Sequence, residues 1–296
     1  MSMDQLLRPE MLLAALLVLG PMLFAAIAPE RFAREVRGIP RVGRILLPGL
    51  LCLPYFLVAK AYGQLRWEWF ALYALLPMAV AWLMEEASRA DAKRRGNWRD
   101  YALLVALALA VDLRWLEPAW PGHLAVFGKM LLLDAGIYGF LGVRQLDGVG
   151  FDLRLRKTDA GIGMREFLFY ALIAIPLGLG LGFLHARAVW PNPLHAVAGF
   201  VFTFLCIAIP EELFFRGWLQ NLLERRIGRT GALLLTAVFF GLAHWNKRTS
   251  FINWRYVLLA AIGGVFYGRA WRAERRVGAS ALTHATVDTL WTLWLR

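Results

Sequence analysis

The feature that most constrains this chain is the recurrence of apolar stretches long enough to cross a lipid bilayer. A membrane helix needs about 20 mostly apolar residues, fewer where it is packed inside a bundle. Ten stretches qualify, at approximately 11–28, 45–62, 69–84, 101–113, 123–143, 167–184, 194–209, 231–245, 256–267 and 279–295, the fourth and ninth being the shortest. The expected fold is therefore all-α: a polytopic transmembrane bundle of about eight to ten spans.

Composition agrees. Hydrophobic residues make up 59% of the 296 positions, against roughly 45–50% in soluble domains. Lys and Arg number 33 against 21 Asp and Glu, but the excess forms no basic soluble face, which argues against a nucleic-acid partner. It falls in short runs between the apolar stretches: Arg31 to Arg44, Arg89 to Arg99, Arg144 to Arg165, Arg216 to Arg229 and Arg269 to Arg276. The alternate loops hold only Lys60 with Arg66, then Arg114, then Arg187, while Lys247, Arg248 and Arg255 form the weakest case. Cytoplasmic loops collect Lys and Arg, so the rich set is expected inside and both termini outside. Arg heavily outnumbers Lys, which points to a GC-rich prokaryote and hence to its plasma membrane.

Ala26-Ile27-Ala28 resembles a signal-peptide cleavage site, but Pro29 follows directly and no basic start precedes it, so the segment is expected to be a retained first span. Cys52 and Cys206 lie in apolar stretches and carry neither metal-ligand spacing nor a disulfide framework. The polar stretch 145–164 is the nearest thing to a boundary. It divides the chain into 1–150, membrane helices of unassigned role, and 151–296.

An ionisable side chain inside a membrane costs about 2.5–3.5 kcal/mol on insertion scales, so each marks a functional candidate. In the first half, Asp112 lies near a span end, and Lys129 and Asp134 are expected to pair within one span. The second half is richer. Pro210-Glu211-Glu212 places two carboxylates where a proline is expected to open a helix, with the helix dipole favouring negative charge. Glu212 and Arg216, four apart, share a face and are expected to pair, leaving Glu211 about 100° away for chemistry. The continuation through Trp218, Leu222 and Arg226 has the pattern of an interfacial amphipathic helix. His244 closes an apolar run, and His284 lies four residues before Asp288 on one helix face. His123, His185 and His195 fall in loops or at span starts and receive no role.

At these residues the chain resembles the CAAX-protease and bacteriocin-processing family of intramembrane peptidases (the CPBP or Abi group), which includes the Ras-converting prenyl-protein endopeptidases. Glu211, Glu212 and Arg216 meet the family's Glu-Glu-x-x-x-Arg motif, Phe240 and His244 its Phe-x-x-x-His motif, and His284 and Asp288 its His-x-x-x-Asn/Asp motif. Gly268-Arg269 and Gly278-Ala279-Ser280 supply typical context. Each motif alone is weak, whereas their order and spacing together are specific. The resemblance spans roughly 167–295. It implies a helical bundle enclosing a conical cavity open toward the cytosol, peptide-bond hydrolysis, and a peptide or lipidated protein as substrate among membrane lipids.

Two routes to an activated water remain open. In one, Glu211 is a general base assisted by His244, with His284 and Asp288 stabilising the oxyanion and no cofactor required. In the other, zinc is held by Glu211, His244 and His284, although no His-Glu-x-x-His helix is present. Two readings compete with the peptidase: a non-catalytic immunity, peptide-binding or maturation factor, and a transporter. The transporter would require inverted repeats, and the first half has no counterpart of Glu211-Glu212.

Overall fold

A computed structural model describes residues 9–188, 190–247 and 252–295; of His123 only the backbone is described, and Arg248 lies outside the described residues. Every regular element among them is a helix. The chain divides into two compact units, Met1–Asp147 and Gly148–Arg296.

The first unit contains α1 (Pro9–Ile27), α2 (Pro29–Gly38), α3 (Arg41–Ala61, with a tightened turn at Leu47–Leu51), α4 (Trp67–Ala90), α5 (Trp98–Asp112) and α6 (Val126–Val143, whose last turns widen to a π-helix from Tyr138). Asn97 starts α5 with a reciprocal capping box: Asn97 Oδ1 accepts from the Arg99 amide and Asp100 Oδ2 from the Asn97 amide. Lys129 and Asp134 do not pair. Lys129 reaches Glu117 at 3.4 Å, and Asp134 is buried with neither carboxylate oxygen hydrogen-bonded among the described residues. Five residues turn a helix by about 500°, which sets the two side chains some 140° apart.

The second unit contains α7 (Lys157–Gly180), a long helical segment Pro193–Leu242, α10 (Trp254–Glu274) and α11 (Val277–Trp294). Gly228 breaks the long segment at φ 76°, ψ 171°, a conformation open essentially to glycine alone. We label the limbs α8 (193–227) and α9 (229–242). Asn192 caps α8 by accepting from the Leu194 amide at 2.9 Å.

Among the described residues, six stretches are long and apolar enough to cross a membrane: α1, α3, α4, α6, α7 and the combined α8–α9. Six of the ten expected stretches map onto five of these and the α8 limb, and a seventh onto α9. The other three correspond to α5, α10 and α11. Leu16, Leu75, Leu172, Leu194 and Val197 project fully outward, as side chains facing lipid do. The chain is an integral, multi-pass membrane protein.

Within the second unit the helices approach closely through small residues. A Cβ on Gly241 would lie 2.6 Å from the Val257 carbonyl oxygen, and one on Gly264 2.9 Å from the Ala237 Cα. Such contacts replace the hydrophobic drive that lipid does not supply, and they fix α9 against α10 where the site lies.

Candidate active site

Glu211 and Glu212 do not sit at a helix start. They lie inside α8, between π-helical turns at Phe204–Ala208 and Leu213–Gln220. The widened turn before Pro210 accommodates a residue that has no amide hydrogen to donate, so the helix passes through the proline. The favourable dipole expected for the two carboxylates is therefore absent. The neighbouring amphipathic stretch is also less interfacial than its pattern implies, since Trp218, Gln220, Asn221 and Leu222 are all buried and only from Arg226 onward does the helix become exposed.

Glu212 and Arg216 are both fully buried and pair at 3.0 Å through Glu212 Oε1. Arg216 also donates to the Gly264 carbonyl of α10 at 3.1 Å. Its guanidinium lies 4.6 Å from the Phe240 ring centroid and 5.4 Å from that of Tyr267, so a planar cation is held on three helices at once. The same Glu212 oxygen lies 2.8 Å from His284 Nδ1. Glu212 is thus an anchor, fixing the His284 ring on α11. Tyr267 stacks on the other side of that ring, centroids 4.7 Å apart and planes 13° from parallel, while Phe240 meets it edge-on.

With Nδ1 engaged, His284 Nε2 points toward Asp288 Oδ2 at 3.6 Å and Glu211 Oε2 at 4.0 Å. Both distances exceed a hydrogen bond. Glu211 Oε2 has no hydrogen-bond partner among the described residues. His244 lies just beyond α9, its Nδ1 2.8 Å from the Phe240 carbonyl oxygen. That contact makes Nδ1 the protonated nitrogen and leaves Nε2 a lone pair. Of the six residues expected from the sequence, Glu211, Glu212, Arg216, His284 and Asp288 on α8 and α11 are linked through Glu212 and His284, and His244 at the end of α9 shares a pocket lining with His284 and Asp288. Among the described residues, no three His, Cys, Asp or Glu side chains are arranged to hold a metal ion, so the three-donor set that zinc takes is not formed by the side chains as they stand.

A pocket of about 620 Å³, counting its mouth, lies beside His244, His284 and Asp288. Its wall is apolar and aromatic, with Phe167, Tyr170, Tyr256 and Trp291 prominent. Tyr267, Tyr256 and Gly264 were not among the residues expected from the sequence. Aromatic residues in an apolar helix carry no signal of their own, but Gly263-Gly264 three residues before Tyr267 marks a close backbone approach that points to this helix. His185 and His195, given no role, lie outside the site.

No curated protein and no solved structure matches the chain. Residues 193–290, which contain all six site residues, match the family described as type II CAAX prenyl endopeptidase Rce1-like, and residues 1–192 lie outside the match. The match covers about a third of the chain, the segment that carries the buried glutamates and histidines, and through that segment the chain is similar to this family.

Proposed function

We propose that this protein hydrolyses a peptide bond of a membrane-associated substrate with a water activated by Glu211, without a metal. The observation that carries the reading is the division of labour between adjacent glutamates. Glu212 is engaged by Arg216 and His284, whereas Glu211 presents an oxygen with no hydrogen-bond partner among the described residues toward the His284 Nε2 atom, 4.0 Å away.

A water bound beside Glu211 Oε2 hydrogen-bonds to it, and the His244 Nε2 lone pair accepts from its second proton. Glu211 takes the first proton as the water oxygen bonds to the scissile carbonyl carbon. The carbonyl oxygen becomes an oxyanion, which His284 stabilises by donating from Nε2–H while Nδ1–H donates to Glu212. The tetrahedral intermediate collapses with cleavage of the C–N bond, and Glu211 passes its proton to the departing amine. Water is consumed, and an acid and an amine are formed.

The experiment is cleavage of a peptide library by detergent-purified protein, comparing Glu211→Ala with the parent. Activity in the parent and none in the variant is expected. Full activity in Glu211→Ala would overturn the site. Stoichiometric zinc, lost together with activity on chelation and restored with it, would overturn the metal-free route.

A further inference from the structure

The two ends of the second unit differ in charge and in closure, and the pocket belongs to only one of them. Its rim is formed by Phe183 and Leu184 after α7, Leu295 at the end of α11, Tyr256 in the first turn of α10, and His244 after α9. All are at one end of the unit. The rim is tied together by backbone: the His185 amide donates to the Leu295 carbonyl at 3.2 Å, the Arg187 amide to Trp294 at 2.8 Å, and the Asn253 amide to Trp245 at 2.9 Å.

The opposite end is shut by residues 148–156, which lie across it as a strap. The Trp271 indole donates to the Val149 carbonyl at 3.0 Å, and the Val277 amide to Gly150 at 2.9 Å. Arg276 grips Asp159 and Asp152 and donates to the carbonyls of both Asp152 and Arg154. Gly150, at φ +72°, runs so close that a Cβ would lie 1.8 Å from the Arg275 carbonyl oxygen. Between strap and pocket lie Glu212, Arg216 and Gln220, all fully buried.

The basic residues are distributed the same way. The strap end carries Arg154, Arg156, Lys157, Arg165, Arg225, Arg226, Arg229, Arg269, Arg272, Arg275 and Arg276, whereas among the described residues the rim end carries Arg187 and Lys247, with Arg255 opening α10. Lys and Arg excess in short loops marks the cytoplasmic side.

We infer that the pocket opens on the exported face of the membrane and takes an extracytoplasmic peptide segment with a bulky apolar side chain, while the strap seals the cytoplasmic face. The orientation departs from the cytosol-facing cavity that the family resemblance implies. Its substrate part rests on the peptidase reading; its orientation does not.

Two single-cysteine variants in a Cys52→Ser, Cys206→Ser background test it without altering charge. Ala188→Cys lies on an exposed rim segment and Ala160→Cys on the exposed strap-end turn of α7. A membrane-impermeant maleimide on intact cells is expected to label position 188 and to reach position 160 only after permeabilisation. The reverse pattern would overturn the orientation. A second arm presents a segment cleaved in the library on a single-span reporter at either face. Cleavage confined to the exported presentation is expected, and cleavage confined to the cytoplasmic one would overturn the inference while leaving the peptidase intact. Cleavage of neither reporter would count against the peptidase reading, and the labelling would still decide the orientation.

Discussion

Each unit buries one arginine completely, and the two are used in opposite ways. Arg144 in the first unit is held by two carboxylates, Asp100 at 2.9 Å and Asp91 at 2.6 Å, and also donates to the Asp91 carbonyl oxygen. Asp91, beyond the end of α4, is held below the usual carboxylate range: burial opposes ionisation, but hydrogen bonds from Arg144 and from the Arg95 and Gly96 amides outweigh it. Arg216 in the second unit has a single carboxylate partner, and two glutamate oxygens beside it, Glu211 Oε2 and Glu212 Oε2, have no hydrogen-bond partner among the described residues. A buried polar group without a partner costs stability, so it is retained where it does something other than hold the fold. Arg144 closes its network and Arg216 organises an open one.

The contrast is broken first at the base. Glu211→Gln, His244→Ala and His284→Ala are each expected to abolish cleavage in the peptide assay, a loss of at least the 10²–10⁴-fold typical of removing a general acid or base. The detergent unfolding temperature of Glu211→Gln should stay near the parent's, because Glu211 Oε2 has no hydrogen-bond partner among the described residues. A Glu211→Gln protein with parental turnover would make the second network as structural as the first.

The two arginines then separate stability from activity. Arg144→Met leaves Asp100 buried without its partner and is expected to cost about 3–5 kcal/mol, read as a lowered unfolding temperature with unchanged turnover per folded molecule. Arg216→Lys loses the planar fork that bonds Glu212 and Gly264 together. It is expected to lower turnover roughly 100-fold, the effect of about a 1 Å misplacement, with the protein still in the membrane. Rescue of Arg216→Lys to parental turnover would sink the pairing argument.

Smaller effects sharpen the boundary of the site. Asp288→Asn is expected to be tolerated within a few-fold in turnover, because an amide oxygen can face His284 Nε2 as the carboxylate does. At the strap, Asp152 is held below the ordinary carboxylate range by hydrogen bonds from Arg154 and, against the opposing effect of burial, from Arg276. A depressed carboxylate contributes stability above its unfolded value and loses it as pH falls through the folded one. Asp152→Asn should therefore lower the unfolding temperature by a few degrees at neutral pH, and the difference should vanish in acid below the ordinary carboxylate range.

Much of the site could be read because its spacing is covalent. Glu212 with Arg216 and His284 with Asp288 are i, i+4 pairs, and a helix brings such residues together whatever surrounds them. The failures arose where tertiary context overrides local rules. Pro210 opens no helix because a π-turn absorbs it, and Lys129 finds Glu117 from another segment in preference to Asp134 on its own helix. The helical fold was legible in hydropathy, but α11 falls below the hydropathy of a plain span because Ser280, Thr283, His284 and Asp288, the residues of greatest interest, dilute it. That His284 belongs to Glu212, 72 positions earlier, has no local signature at all.

The break at Gly228 bears on how the protein is made. Because one glycine reverses the chain without a connecting loop, α8 and α9 can enter the bilayer together as a hairpin, and the Arg216 guanidinium reaches the Phe240 ring from contacts only 24 positions apart. The glutamates, their arginine and His244 are thus synthesised before the last helix exists. The candidate site is complete only when α11 delivers His284, so an incompletely translated chain carries the glutamates and Arg216 without the histidine that Glu212 holds. Pulse-chase of nascent chains halted before residue 277 should find them membrane-inserted and proteolytically silent.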